Sequence, residues 1–260
     1  MDTRKKRGVR MGSIMIKRHT KISIFIHWFN AVCWFFLLVT GLGLIKNDKL
    51  DPMGRWLPDL MRGLFGGGEN LLLAHWICGL IWTGVFLVYG ILRAKKDVIP
   101  FIDEIFTYSP SNDLLWLVKK PIQMTMGYKV LENLGFEPKI PDQGFYNVGQ
   151  KLFAIPAVFG GAVIAVTGII MLASKFYTID TTIVQWSILI HFVASGAVFA
   201  GLLIHIFMAS IATGELPALI SMFTGTVSKE YAEHYHKLWY DEVKGERPLG
   251  PGPACLEDPK

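Results

Sequence analysis

The chain has 260 residues, of which 52% are hydrophobic and only 18% are charged, and its mean hydropathy is +0.38. An average soluble domain has about 25% charged residues, so this composition excludes an ordinary water-soluble globular protein. The formal net charge of +5 comes largely from basic segments that flank apolar runs, which favours lipid headgroups over nucleic acid as the partner.

Four long runs lack Asp, Glu, Lys and Arg, and each exceeds the roughly 18 to 20 residues that cross a bilayer. The runs predict transmembrane helices at about 22–45, 70–92, 152–174 and 183–212. The other segments are a basic N-terminus over 1–21, a connection over 93–151 and a tail over 215–260. The predicted fold class is therefore an all-α integral membrane protein, with a four-transmembrane-helix bundle within 22–214.

Lysine and arginine are distributed unequally between the two sides of this predicted bundle. The N-terminal segment, the connection and the tail hold 21 of them, whereas the loops 46–69 and 175–180 hold five. The positive-inside rule then predicts that both termini and the connection lie in the cytoplasm, in a bacterial or archaeal cytoplasmic membrane.

The connection and the tail carry aromatic residues among charges. Phe101, Phe106, Trp116 and Met124 alternate with charged positions, which indicates amphipathic helices at the cytoplasmic membrane interface. The tail contains Tyr231, Trp239 and Tyr240, and it is expected to pack either on the connection or on a partner.

Three of the four charge-free runs contain histidine, and the fourth run contains two: the residues are His27, His75, His191 and His205. Fourteen residues of helix advance about 21 Å and return to within about 40° of the same face, so His191 and His205 point inward on two levels. The helix directions pair His27 with His205 near the inner side and His75 with His191 near the outer side. Two imidazoles on each level suit bis-axial ligation of two b-type haem irons. The alternative to haem ligation is that a lone intramembrane histidine forms a hydrogen bond between helices or belongs to a proton path.

The glycines and cysteines of the sequence indicate less about a functional site than the histidines do. Gly41 and Gly43 lie at the outer level of the first helix, where they would admit a flat macrocycle, although ordinary helix packing explains them equally well. No CxxC or CxxCH occurs, so the sequence gives no sign of c-type haem, a cysteine-ligated iron–sulfur cluster or zinc on this chain.

Three stretches carry a resemblance to a known family. They are Arg18-His19-Thr20-Lys21 leading to His27-Trp28, the run 145–151 (FYNVGQK), and the histidine pair of the fourth helix. Over about residues 15–215 the chain resembles the cytochrome b (gamma) subunit of respiratory formate dehydrogenases and related molybdoenzymes. The resemblance implies a four-helix protein with two haem b groups, which exchanges electrons with an iron–sulfur subunit and reduces menaquinone.

The resemblance also implies roles for individual residues. His27 and His205 would hold the inner haem iron, and His75 and His191 the outer one. The residues Asn147, Gly149 and Gln150, together with His205, would line a pocket for menaquinone or another quinone. An Asn side chain and the backbone N–H of a glycine are suitable donors to a quinone carbonyl. Tyr146 or Lys151 could deliver protons there, although for Lys151 snorkelling to water is the preferred expectation.

The predicted function is an electron-transfer subunit of an oxidoreductase complex; no catalytic residue for the primary substrate is expected on this chain. Its partners would be an outer-side iron–sulfur (beta) subunit and, through it, a molybdenum or tungsten catalytic subunit. Alternatives are a quinol-oxidising anchor of a thiosulfate or polysulfide reductase or hydrogenase, and a haem-free histidine-relay transporter. The sequence contains neither the intramembrane carboxylates nor the internal repeats that would favour the transporter.

Overall fold

A computed structural model describes residues 14–47, 49–212 and 214–245. The expectations for the basic residues before 14 and for the end of the tail after 245 fall outside this range. The chain divides into two compact units. The connection unit contains the described parts of Met1–Ile24, Lys95–Ala154 and Ile204–Lys260, and the membrane unit contains Phe25–Ala94 and Ile155–Leu203.

The described chain is mostly helical, with one short two-stranded ribbon. The first elements are β1 (Met15–Lys17), α1 (Lys21–Leu44), α2 (Trp56–Phe65), α3 (Gly68–Arg93), a π-helical segment (Ala94–Val98), α4 (Ile99–Phe106), α5 (Pro110–Met126) and α6 (Tyr128–Asn133). The remainder are α7 (Val148–Ala173), α8 (Thr181–Ser210), α9 (Leu216–Thr224), β2 (Thr226–Ser228), α10 (Lys229–Tyr235) and α11 (Lys237–Val243).

Four helical stretches are long and apolar enough to cross a membrane: α1, α3 with its continuation to Phe106, α7 and α8. Within the most apolar window of each, only 6–11% of the residues are buried inside the chain. Helices that leave so much apolar surface outward need a non-aqueous environment, as lipid provides. The prediction of an all-α membrane protein with four transmembrane helices is confirmed.

Close backbone approaches hold the helices of the membrane unit together. Met61 of α2 packs with Leu71 of α3, and a Cβ added to Gly43 of α1 would lie 2.6 Å from the Met61 Cβ. A Cβ on Gly160 of α7 would likewise collide with the Val198 side chain of α8. Any larger residue at these glycines would force the helices apart.

The tail packs on the connection, which was the first of the two alternatives. In the ribbon, β1 pairs antiparallel with β2, and Tyr231, Trp239 and Tyr240 form a buried cluster with Phe145. The Arg18 guanidinium donates to the Phe145 carbonyl at 2.7 Å and lies over the Phe145 and Trp239 rings at 4.9 and 5.2 Å. The connection unit therefore has an aromatic core of its own.

Helix α5 has its polar and apolar faces inverted relative to a soluble helix. Asp113, Lys119 and Lys120 are buried, whereas Leu114 and Val118 are 64% and 46% exposed. An outward apolar face with charged groups turned inward suits a helix that lies at a membrane interface.

Candidate functional site

His75 of α3 and His191 of α8 face each other in the membrane unit. Their ring centroids are 6.4 Å apart, with the ring planes at 66°. Two imidazoles that bind one metal ion from opposite sides, each nitrogen about 2.0 Å away, have centroids a little over about 6 Å apart. The structure thus brings the predicted outer pair together at a separation that fits two axial ligands of one haem iron.

A threonine contacts the far nitrogen of each of these rings. Nδ1 of His75 lies 2.8 Å from Thr40 Oγ1, and Nδ1 of His191 lies 3.0 Å from Thr167 Oγ1. Each hydroxyl also lies 2.7 Å from the carbonyl oxygen four residues earlier in its own helix, to which it donates. Because the hydroxyl hydrogen is used there, the oxygen accepts from Nδ1–H. Both rings therefore have the tautomer that leaves Nε2 with a lone pair for a metal.

A glycine follows each threonine and lets the imidazole lie against the helix backbone. A Cβ on Gly41 would be 3.3 Å from His75 Cε1, and one on Gly168 would be 3.4 Å from His191 Cε1. Among the described residues, a Cβ on Gly41 would thus meet a histidine ring, and a Cβ on Gly43 would meet Met61 and Leu71. Sequence reasoning missed Thr40, Thr167 and Gly168. The available signal was the repeated Val-Thr-Gly at 39–41 and 166–168.

The two histidines of the predicted inner pair lie in different units, His27 in the membrane unit and His205 in the connection unit. His27 lies in α1, where its ring contacts the Trp28 ring edge-on with centroids 5.3 Å apart. His205 lies near the end of α8 and stacks on Phe153 of α7, with centroids 4.6 Å apart and planes at 12°. Phe153 was not among the predicted site residues.

Asn147 and Gln150 form a reciprocal capping box at the start of α7. Asn147 Oδ1 accepts from the Gln150 backbone N–H at 2.9 Å, and Gln150 Oε1 accepts from the Asn147 backbone N–H at 3.0 Å. Buried Gln143 caps the Val148 N–H through Oε1 at 2.9 Å. This capping explains why α7 begins at Val148.

Several donors at this helix start remain open in the part of the chain that the structure describes. They are the Gly149 backbone N–H and the side-chain amide N–H groups of Asn147 and Gln150. A Cβ on Gly149 would lie 3.3 Å from both Asn147 Oδ1 and the Trp116 ring. Phe153, which stacks on His205, is one turn beyond Gly149 in the connection unit.

Lys151 does not reach water, contrary to the preferred expectation. Its ammonium donates to the Thr107 carbonyl at 2.8 Å and lies 3.6 Å from Glu104 Oε1. Both side chains of this ion pair are less than 10% exposed. Burial raises the pKa of Tyr146 to about 12, so its hydroxyl stays protonated at neutral pH.

The structure thus combines four helices of membrane length with a pair of histidine rings whose centroids are 6.4 Å apart. Residues 18–225 match the model of the family described as prokaryotic cytochrome b561, and the chain belongs to this family. It is therefore a membrane cytochrome b, and haem b and a role in electron transport follow from the family.

Curated relatives are similar over most of their length. The cytochrome b556 subunit of formate dehydrogenase from Haemophilus influenzae is 25% identical, over 87% of this chain and 83% of the relative. The cytochrome b556(Fdn) subunit of the nitrate-inducible formate dehydrogenase of Escherichia coli is 27% identical, over 89% and 93%. The cytochrome b556(fdo) subunit of the Escherichia coli formate dehydrogenase is 23% identical, over 88% and 93%.

Proposed function

We propose that the chain is the cytochrome b subunit of a formate dehydrogenase-like complex and that it carries electrons through two b haems between an outer-side iron–sulfur subunit and a quinone. The observation that carries this proposal is the His75–His191 pair, whose Nδ1 atoms are both held by threonines. The curated relatives are named as subunits of formate dehydrogenases, which supports that assignment of the complex.

Haem b, when bound, supplies a reversible one-electron oxidation and reduction of its iron. His75 and His191 would hold the iron of the outer haem through their Nε2 atoms, so that this haem would carry electrons rather than bind substrate. His27 and His205 would do the same for the inner haem. The fourteen residues between His191 and His205 correspond to about 21 Å along α8, so two haems would span most of the bilayer core of about 30 Å.

The start of α7 would receive the quinone, either menaquinone or a related compound. Gly149 N–H and the amide groups of Asn147 and Gln150 are donors suited to a quinone carbonyl oxygen. The positive end of the helix dipole favours the more negative, electron-rich form of the ring as it is reduced. The capping box holds these donors in place before any ligand arrives.

The positive-inside rule favours a cytoplasmic position for this site, where quinone reduction would draw electrons inward and take protons from the cytoplasm. Against a membrane potential of about 150 mV, each electron that crosses the full field costs about 3.5 kcal/mol. The redox drop from the donor to the quinone must exceed that cost. A molybdenum or tungsten subunit would supply the electrons through the iron–sulfur partner.

Histidine variants test the two haem levels separately. His75→Ala and His191→Ala should each remove the outer haem alone, and His27→Ala and His205→Ala the inner haem alone. His234→Ala is the control, because His234 is exposed and outside the four helices. The measurement is the haem content and the redox titration of the purified variants. Loss of a different haem in His75→Ala than in His191→Ala would contradict the pairing.

The quinone site is tested by changes that keep the helix caps. Asn147→Ser and Gln150→Glu retain oxygen acceptors for the capped N–H groups but lack the amide donors. Both variants should keep their haems and bind a naphthoquinone at least about tenfold more weakly, as the loss of a hydrogen bond of roughly 1.5 kcal/mol predicts. Unchanged quinone affinity in both variants would contradict the site.

A further inference from the structure

A buried ion pair lies in the connection unit beside the residues proposed to bind quinone. Glu104 Oε1 and Lys151 Nζ are 3.6 Å apart, and the two side chains are 8% and 9% exposed. Removal of two charges from water costs several kcal/mol per ion, so burial of such a pair is a weak source of stability. A role in the chemistry of the neighbouring site is a better reason for its presence.

The ion pair brackets the capping box at both ends. The backbone N–H of Tyr146, the residue immediately before Asn147, acts electrostatically on the Glu104 carboxylate and favours its charged form. Lys151 immediately follows Gln150 and is four residues after Asn147, so the two lie on one face of α7, one turn apart. The titratable side chains thus adjoin both ends of the proposed donor set.

A glycine keeps space beside the Glu104 carboxylate. A Cβ on Gly144 would lie 3.0 Å from Glu104 Oε1, and the Gly144 carbonyl accepts from His236 Nδ1 at 2.8 Å. The segment before Asn147 is therefore fixed from one side by the tail while it leaves room for the carboxyl group on the other.

We propose that Glu104 is the proton-loading group for quinone reduction and that Lys151 positions it. This inference rests on the proposed function. Reduction of a quinone takes two electrons, which the haems carry, and two protons, which cytoplasmic water supplies. For each proton, an O–H bond of Glu104 breaks as an O–H bond forms at the quinone oxygen, and Glu104 then takes a new proton from water. Oxidation of a quinol runs the same transfers in reverse.

Several other groups around this carboxyl bear on its proton affinity. Glu242 of α11 acts on Glu104 with like charge, and Lys151 with opposite charge. Arg18, Asp97 and Glu104 act on the Tyr146 hydroxyl. Because Tyr146 keeps its proton at neutral pH, the carboxyl of Glu104 is the more suitable carrier. The centroid of the Tyr108 ring lies 5.8 Å from the Lys151 ammonium.

The chain contains a matched control for this ion pair. Glu215 and Lys120 form a second buried pair in the same unit, 3.3 Å apart, with both side chains 8% exposed. Glu215 accepts from the Tyr231 hydroxyl at 3.4 Å, within the tail cluster and outside the capping box. Glu104→Gln and Glu215→Gln therefore remove a similar buried charge, with and without the proposed proton role.

The experiment uses the full chain with its haems in membranes and follows haem reduction by a water-soluble naphthoquinol, in H₂O and D₂O, over a range of pH. In the native chain the rate should rise with pH, because the Glu104 carboxylate accepts the quinol proton. Glu104→Gln should react about 100-fold more slowly and lose this pH dependence, whereas Glu215→Gln should stay within about twofold of the native rate. A protonated-carboxyl band in the reduced-minus-oxidised infrared spectrum should vanish only in Glu104→Gln.

Equal rates and pH profiles in Glu104→Gln and Glu215→Gln would overturn the proposal. If Glu104→Gln does not assemble with haem, the pH profile of Glu104→Asp is the deciding measurement, because this variant keeps a titrating carboxyl group. A shifted pH profile supports the proposal, and a profile identical to the native one overturns it. A native chain whose haems do not react with quinol at all contradicts the proposed function itself, which is a different outcome.

Discussion

The threonine–histidine contacts determine which nitrogen of His75 and His191 carries a proton. A single hydroxyl does this because it donates to its own helix backbone and accepts from the imidazole. An acceptor at Nδ1 also makes the imidazole a stronger donor to iron, which stabilises the oxidised metal.

Thr40→Val removes the acceptor at Nδ1 of His75 and keeps the side-chain shape. The variant should bind the outer haem about 10–100-fold more weakly and show a raised reduction potential for that haem. Thr40→Ser should restore both properties. Thr83→Val is the control, because Thr83 bonds only to the Gly79 carbonyl in its own helix among the described residues. A redox titration checks this, and an unchanged potential in Thr40→Val would refute the positioning role.

The histidines could be predicted from the sequence, but the threonines could not be predicted with the same reasoning. A histidine in a charge-free helix is costly to bury, so each one is expected to have a hydrogen-bonding or metal partner. A threonine can satisfy its hydroxyl on its own backbone, so Thr40 and Thr167 look neutral in an apolar run. The quinone motif had a second function that the sequence concealed, since Asn147 and Gln150 cap α7 through their oxygens.

At the scale of elements, Gly160 allows a close approach of α7 and α8. The space beside Gly160 is filled by Val198, whereas nothing described lies within 4 Å of a Cβ on Gly196 of α8. The two glycines are therefore a matched pair for a test of helix contact.

Gly160→Ala should lower the stability of the haem-loaded protein by about 1–3 kcal/mol, because the added methyl overpacks the contact with Val198. Gly196→Ala should be neutral or slightly stabilising, since alanine is the better helix former. The measurement is the midpoint of thermal haem loss in detergent. Equal midpoints for the two variants would show that the helices do not rely on this approach.

The long helices followed from composition, whereas the bounds and the buried faces of the helices in the connection did not. Charge-free runs predict α1, α3, α7 and α8 because lipid tolerates few charges. In α5 the usual pattern is reversed, with Lys119 and Lys120 buried and Leu114 exposed. A periodicity rule that turns apolar residues inward would assign its faces wrongly.

At the scale of the molecule, His236 couples the tail to the segment before α7. The side chain is fully buried, and burial, followed by the nearby Arg18 charge, lowers its pKa well below the ordinary value. His19 and Lys120 lower it further. The folded chain keeps His236 neutral, whereas the unfolded tail binds a proton below about pH 6.5, so stability is lost as the pH falls through that value.

Limited proteolysis should accordingly cleave the tail faster as the pH falls from about 7.5 to about 5.5. His236→Gln keeps an N–H donor for the Gly144 carbonyl but has no site for the proton, so its cleavage rate should depend less on pH. His234→Gln should behave as the native chain, because His234 is exposed. The same pH dependence in His236→Gln as in the native chain would exclude this histidine as the cause.

Four histidines that hold two b haems on two levels require a fixed haem content in the purified protein. The most direct test is the dithionite-reduced minus oxidised spectrum of the purified chain, combined with haem quantification per polypeptide. We predict b-type absorbance with two haems per chain. One haem per chain, or no b-type absorbance, would contradict the account.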